Sequence, residues 1–192
     1  MMTTTLIAIL AIAAAVTTPR VASPVVHTQA QTALTGTGGS KSPMPRGKKE
    51  EAVAEALIRQ RINDLVKAIG AKDIDGVMSF YASNIVSFDL DPPLRYAGAD
   101  RKRRAWQALF AAHTGPFTYE VRDSDVTTDG ELAFVHSLNH VKGTLSSGHP
   151  SDLWVRWTAC FRRIDGVWLV VHDHVSVPAD LEHGKAVLNL TP

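Results

Sequence analysis

The dipeptide Asp165-Gly166 separates two long strand-like runs, 152–163 and 167–177, and it limits this chain more than any other feature. A two-residue Asp-Gly loop adopts the positive backbone angles whose twist matches paired antiparallel strands. Asp129-Gly130 repeats the signal between the runs 117–127 and 131–144. Four consecutive antiparallel strands are therefore expected in the C-terminal half.

The segment before them has a helical period. Ala54, Ile58, Ile62, Leu65 and Ile69 fall three or four apart over 50–69, and Gly70 ends the stripe. Asp73 is placed to cap a second helix carrying Ile74, Val77, Met78 and Tyr81. A strand-like run, 84–91, closes at Pro92-Pro93. Asp100 is read as the cap of a third helix with the stripe Trp106, Leu109, Phe110 and His113. The order implies an α+β fold, a cone-shaped curved antiparallel sheet wrapped around three N-terminal helices.

The first fifty residues differ in kind. Residues 6–16 form an apolar run of eleven, too short to span a bilayer but suited to a secretory leader. Residues 1–30 are read as a signal peptide, with Ala30 or Ala13–Ala15 as cut points, although Met1–Thr5 holds no Lys or Arg. A misassigned start or an unstructured N-terminus is the alternative. Residues 31–49, with Thr35-Gly-Thr-Gly-Gly-Ser40 and a basic junction at Arg46, Lys48 and Lys49, read as a flexible linker. The cone domain is set at 50–180 and a tail at 181–192. The expected location is secreted or periplasmic, with no membrane attachment of the mature form.

Composition removes several classes of function. Twenty basic against nineteen acidic side chains leave a net charge of +1, which gives no footprint for nucleic acid. The single cysteine, Cys160, excludes an internal disulfide framework and a Cys-rich metal site, and reads as a small core residue. Phosphate loops and dinucleotide fingerprints are absent. No cofactor is expected.

Individual residues carry the chemistry. Asp89 and Asp91 share a strand face opposite Val86, Phe88 and Leu90. In an apolar cone Asp89 would be desolvated toward the range of a general base; an ion pair with Arg156 or a backbone cap is the competing role. His172 and His174 share a face with Trp168 and Ser176, while Asp173 points away with Val171 and Val175. A His-x-His pair on a strand lines a pocket, makes structural hydrogen bonds or holds a metal ion; His136 and His140 form a second pair, so a three-histidine site is arithmetically possible. Pocket lining is preferred over metal. Arg156 and Thr158 share a face with Trp154 and Cys160, and the arginine suits either an anionic ligand or a salt bridge to Asp89 or Asp173. Arg101-Lys-Arg-Arg104 reads as a solvated helix face from which Arg103 alone reaches the cone mouth. Trp106 is a core residue or a ligand platform.

Several strings resemble a known family: Asp73-Ile-Asp-Gly-Val-Met-Ser-Phe-Tyr81, Phe88-Asp-Leu-Asp-Pro-Pro-Leu94 with Gly98, Trp157 to Trp168, and Val171-His-Asp-His-Val-Ser-Val-Pro178. They resemble the SnoaL-like members of the nuclear transport factor 2 superfamily, which include ketosteroid isomerases and polyketide cyclases. The final strand also resembles the association domain of calcium/calmodulin-dependent kinase II and, more loosely, iota-class carbonic anhydrases.

The resemblance implies a cone fold and places Asp89 where the isomerases carry their proton-shuttling aspartate. Their oxyanion tyrosine falls at Leu65 and their second donor near Thr158, which disfavours full steroid isomerisation. The expectation is an exported small-molecule protein, with Asp89, His172 and His174 as acid–base groups, and Arg156, Thr158, Trp106 and His136 binding the ligand. A homodimer through the outer sheet face is expected. A non-catalytic binding or dimerisation module is the alternative, followed by carbonic-anhydrase-like hydration or a His-x-His metal site.

Overall fold

A computed structural model describes residues 46–192. The leader assigned to 1–30 and the linker up to residue 45 lie outside the described residues. The linker's last four residues are helical, because α1 spans Arg46–Gly70 and so includes the basic junction. Its buried stripe is the expected one: Ile58, Ile62, Leu65 and Ile69.

Helix α2 (Ile74–Met78) is a single capped turn. Asp73 Oδ1 accepts from the amides of Asp75 and Gly76 at 3.2 and 3.1 Å. Gly76 is required there, since a Cβ would sit 2.5 Å from Asp73 Oδ2 and 3.0 Å from Ala68 Cβ. Asp73→Ala is expected to cost about 1 kcal/mol, read as a lower urea midpoint at unchanged slope.

Strand β1 (Tyr81–Phe88) starts three residues before the expected position and takes Tyr81 out of the helix; β2 (Tyr96–Ala97) pairs with it. Helix α3 spans Ala99–Ala111, with Gly98 at φ 84° in the cap position and no side-chain cap bond. Asp100, expected as the cap, lies inside the first turn, and His113 opens the next strand instead of closing the helix stripe. Then follow β3 (His113–Asp129), β4 (Leu132–Leu145), β5 (Pro150–Ile164) and β6 (Val167–Ser176). Asp165 and Gly166 take φ 50° and 82°, which Asp-Gly hairpin loops require. In the segment expected to be a tail, β8 (Lys185–Ala186) pairs with β7 (Ala179–Asp180).

The main sheet has the order β2-β1-β6-β5-β4-β3. It is mixed, not purely antiparallel: β1 runs parallel to β6, with Ser87 beside Asp173. Register shifts in the β3–β4 and β5–β6 ladders bend the long strands. The concave face packs on α1, where Phe80 meets Phe161 and Trp157 at ring distances of 5.4 and 6.3 Å. The architecture is α+β, a curved sheet over N-terminal helices that leaves a cavity on the α3 side.

Candidate functional site

The cavity, about 460 Å³, lies between α3 and the concave faces of β1, β3, β4, β5 and β6. Its walls are largely apolar, including Leu65, Trp106, Leu109, Val155 and Trp157.

Polar groups enter chiefly where α3 crosses β1 and β6. Lys102, only 2% exposed, sends its ammonium from α3 to three partners. Its Nζ donates to Ser87 Oγ at 2.8 Å, and lies 3.1 Å from Asp89 Oδ2 and 3.0 Å from Asp173 Oδ2. Ser87 and Asp173 are register neighbours on the inner face, so backbone pairing fixes two of the three partners. Burial alone would push the lysine down, but the charges of Asp173 and Asp89 outweigh it and hold it above its ordinary 10.5. Lys102 is thus a locked cation. Asp173 is 1% exposed, whereas the Asp89 side chain is 26% exposed and its Oδ1 accepts from the Leu90 amide at 2.9 Å.

Two phenols face the same space. Tyr81 Oη accepts from Trp106 Nε1 at 3.3 Å. Tyr119 Oη accepts from Asn139 Nδ2 at 2.6 Å, with that amide oriented by Ser137 Oγ donating to Asn139 Oδ1 at 2.7 Å. Burial raises both phenols above their ordinary 10.0, and the nearby Asp173 charge pushes Tyr81 further. Each hydroxyl therefore keeps its proton, and neither donates to a described residue. The cavity thus holds the partly open Asp89 carboxylate and the unspent donors of these two phenols.

The structure brings Asp89 and Trp106 into the cavity. It places His172, His174, Arg156, Thr158 and His136 elsewhere, on the outer sheet face. His136, Thr158, His174 and Phe88 are successive register partners across four strands there. His172 Nδ1 donates to the Val86 carbonyl at 2.8 Å, and its ring meets Phe88 edge-on at 4.9 Å. The expected pairing of Asp89 with His172 or His174 is not formed.

The cause is a bulge. Cys160 pairs with His172 and Phe161 with Val170, so Val171 is an extra residue. Trp168 and Val170 are buried, and beyond the bulge Asp173 and Val175 turn inward instead of His172 and His174. A simple alternation counted from Trp168 gives the wrong face. Arg156 is exposed, and Lys102 takes the place expected of it beside Asp89 and Asp173. Among the described residues, no group of three His, Cys, Asp or Glu side chains could hold a metal ion.

The sequence pattern does not place Lys102, Asp173, Tyr81 or Tyr119 in the site: Asp173 is expected on the opposite face from the histidines, as a salt-bridge candidate, and Tyr81 on a helix. Lys102 was hidden in the basic run taken as a solvated face; Arg103, the residue expected to reach the mouth, pairs with Asp75 at 2.7 Å instead. A signal existed, because Lys102, Trp106 and Leu109 keep the four- and three-residue spacing of one helix face. Leu65 does line the cavity. Tyr81 and Tyr119 bring hydroxyl groups to the same cavity from two strands.

A family profile described as a SnoaL-like domain matches residues 58–180. No curated protein matches the chain in sequence. Among solved structures, an NTF2-like protein of unknown function from Pseudomonas putida KT2440 is 33% identical, with a TM-score of 0.68 over 73% of this chain and 98% of that one. A ketosteroid isomerase-like protein from Erwinia carotovora atroseptica is 21% identical, with a TM-score of 0.55 over 63% and 93%. A nuclear transport factor 2-like superfamily protein from Salmonella enterica is 15% identical, with a TM-score of 0.62 over 71% and 99%. With the family profile spanning most of the cone and the fold shared by these structures, the chain belongs to the SnoaL-like domain family of the nuclear transport factor 2 superfamily.

Proposed function

We propose that the cavity binds a small carbonyl compound and moves a proton beside its carbonyl group. Asp89 takes the proton from the α-carbon. The C–H electron pair becomes the new C=C bond, while the C=O pair shifts onto oxygen, where Tyr81 and Tyr119 donate hydrogen bonds. Returning the proton to another carbon completes an isomerisation; returning it to a leaving hydroxyl completes an elimination. The observation that carries this reading is a partly open carboxylate sharing an apolar cavity with two protonated phenols whose donors are unspent. Donors aimed at the developing oxyanion are an effective form of transition-state stabilisation. Lys102 is not read as a Schiff-base nucleophile, because its charge and all three of its donors are committed.

The test is deuterium exchange at the α-carbon of neutral aryl methyl ketones in D2O, followed by proton NMR. Exchange above buffer is expected, falling about a hundredfold in Asp89→Asn. Binding without exchange would establish the rival reading, a ligand-binding module whose Lys102–Asp89 contact is structural.

The same reading includes export through the 1–30 segment, checked by mass spectrometry of the secreted protein, and a homodimer. Phe88 and Phe134 are 40% and 46% exposed on the outer sheet face, an apolar surface that a second copy would cover. Phe134→Arg is expected to convert the dimer to monomer in sedimentation; an unchanged mass in that variant excludes this face.

A further inference from the structure

The sign of the charge in the cavity adds a second layer. Among the described residues lining it, Lys102 is the one lysine or arginine, against Asp89, Asp91 and Asp173. Asp91 is solvent-exposed, so its charge is screened. The buried cluster is one cation against two carboxylates, a net charge of −1 at an apolar wall. The cation has nothing left to offer, since Ser87, Asp89 and Asp173 take its three N–H donors. His113, the first residue of β3, donates Nδ1–H to the Leu109 carbonyl at 2.9 Å, and its buried Nε2 has no partner among the described residues. Arg103 is held by Asp75, and Arg101 and Arg104 are exposed and do not line the cavity. Arg156, the residue expected from sequence to clamp an anion, is on the other side of the sheet.

An anionic ligand entering this space would lose its hydration, meet excess negative charge and find no uncommitted lysine or arginine among the described lining residues. A neutral carbonyl compound loses little by the same transfer. An ammonium group gains from the carboxylates and from the faces of Tyr81 and Trp106, which already take Lys102 Nζ at 5.3 and 6.0 Å from their ring centroids.

We infer that the Lys102–Asp89–Asp173 cluster sets ligand charge, so that the cavity takes uncharged or cationic carbonyl compounds and rejects carboxylates and phosphates. The inference rests on the proposed carbonyl chemistry for its ligand class. The selection itself comes from the unbalanced carboxylate.

Three matched ketones test it: methyl 4-acetylbenzoate (neutral), 4-acetylbenzylamine (cationic) and 4-acetylbenzoate (anionic). Affinities are measured by NMR titration of cavity resonances with the full chain, at one pH and ionic strength. The ester and the amine are expected to bind at least about tenfold more tightly than the benzoate, since attraction and repulsion are only weakly screened in such a site. Asp173→Asn, which brings the cluster to neutrality, is expected to narrow that gap. Asp89→Asn does the same from the more open side and serves if the buried substitution fails to fold, as checked by near-UV circular dichroism.

Equal affinities, preference for the benzoate, no binding of any of the three, or a gap unchanged in the folded variants would overturn the inference. Exchange of the acetyl protons, recorded in the same samples, reports separately on proton transfer. Charge selection without exchange defeats only the catalytic reading, and exchange without charge selection defeats only this inference.

Discussion

Lys102→Met is expected to be among the most destabilising single substitutions in the domain, at about 3–5 kcal/mol. The wild-type ammonium is 2% exposed and stands beside Asp173, itself 1% exposed. Removing the cation leaves the Asp173 carboxylate buried without its counter-ion, while the partly open Asp89 can turn to solvent. The double variant Lys102→Met/Asp173→Leu removes both charges and is expected to recover much of the loss, because replacing a whole buried pair by apolar groups is often close to neutral. Urea unfolding of the four members of this cycle measures the coupling. A loss below about 1 kcal/mol for Lys102→Met alone would show that the cluster is hydrated and contributes little.

The second large effect is loss of stability in alkali. Tyr81 and Tyr119 are raised by burial above their ordinary 10.0, and Lys102 is raised above 10.5 by its carboxylates despite burial. Above these ordinary values the unfolded chain has lost protons that the folded chain keeps. Unfolding then releases protons, so rising pH favours the unfolded state. The stabilisation is complete below pH 10 and declines above it, by about 1.4 kcal/mol per pH unit for each group that differs between the states.

Phenolate absorbance gives the check. The chain has three tyrosines, and Tyr96, near the surface, is expected to ionise while the protein is folded. The other two are expected to ionise only as the protein unfolds. Tyr119→Phe should reduce the alkaline slope by one proton. Smooth ionisation of all three phenols in the folded protein would mean that the cavity walls admit hydroxide and water freely.

Much of the architecture is legible because it depends on local signals. The α1 stripe, the Asp73 cap and the Asp165-Gly166 hairpin are each written within a few residues, and each appears where its pattern places it. The site is written less locally. Asp89 and Trp106 could be found, since the alternation is regular from Ile85 through Ser87 to Asp89, past the irregularity between Tyr81 and Val86, and Trp106 lies on a plain helix stripe. The histidines were misplaced because one extra residue, Val171, reverses the alternation of β6, and nothing in Val-Val-His-Asp-His marks where a bulge falls. The parallel β1–β6 pairing was equally silent, because register between strands more than eighty residues apart is set by the packed sheet. Lys102 was misread for another reason. A lysine amid arginines suggests solvent, and only the two carboxylates brought by other strands make its burial tolerable.

The neighbourhood of β1 and β6 also has a consequence for how the chain is made. His172 and Val86, joined by a hydrogen bond, are 86 positions apart, and Lys102 and Asp173 are 71 apart. Such pairings carry a large loop-closure cost and slow folding. During synthesis the helices, β1 and the β3–β5 meander leave the ribosome before β6. Until β6 arrives, β1 has no central neighbour and Lys102 lacks its most buried counter-ion. The nascent cone therefore has an open slot in mid-sheet, and a ribosome stalled anywhere before Asp173 presents that slot as an unpaired strand edge, the form of chain that chaperones hold and aggregation recruits.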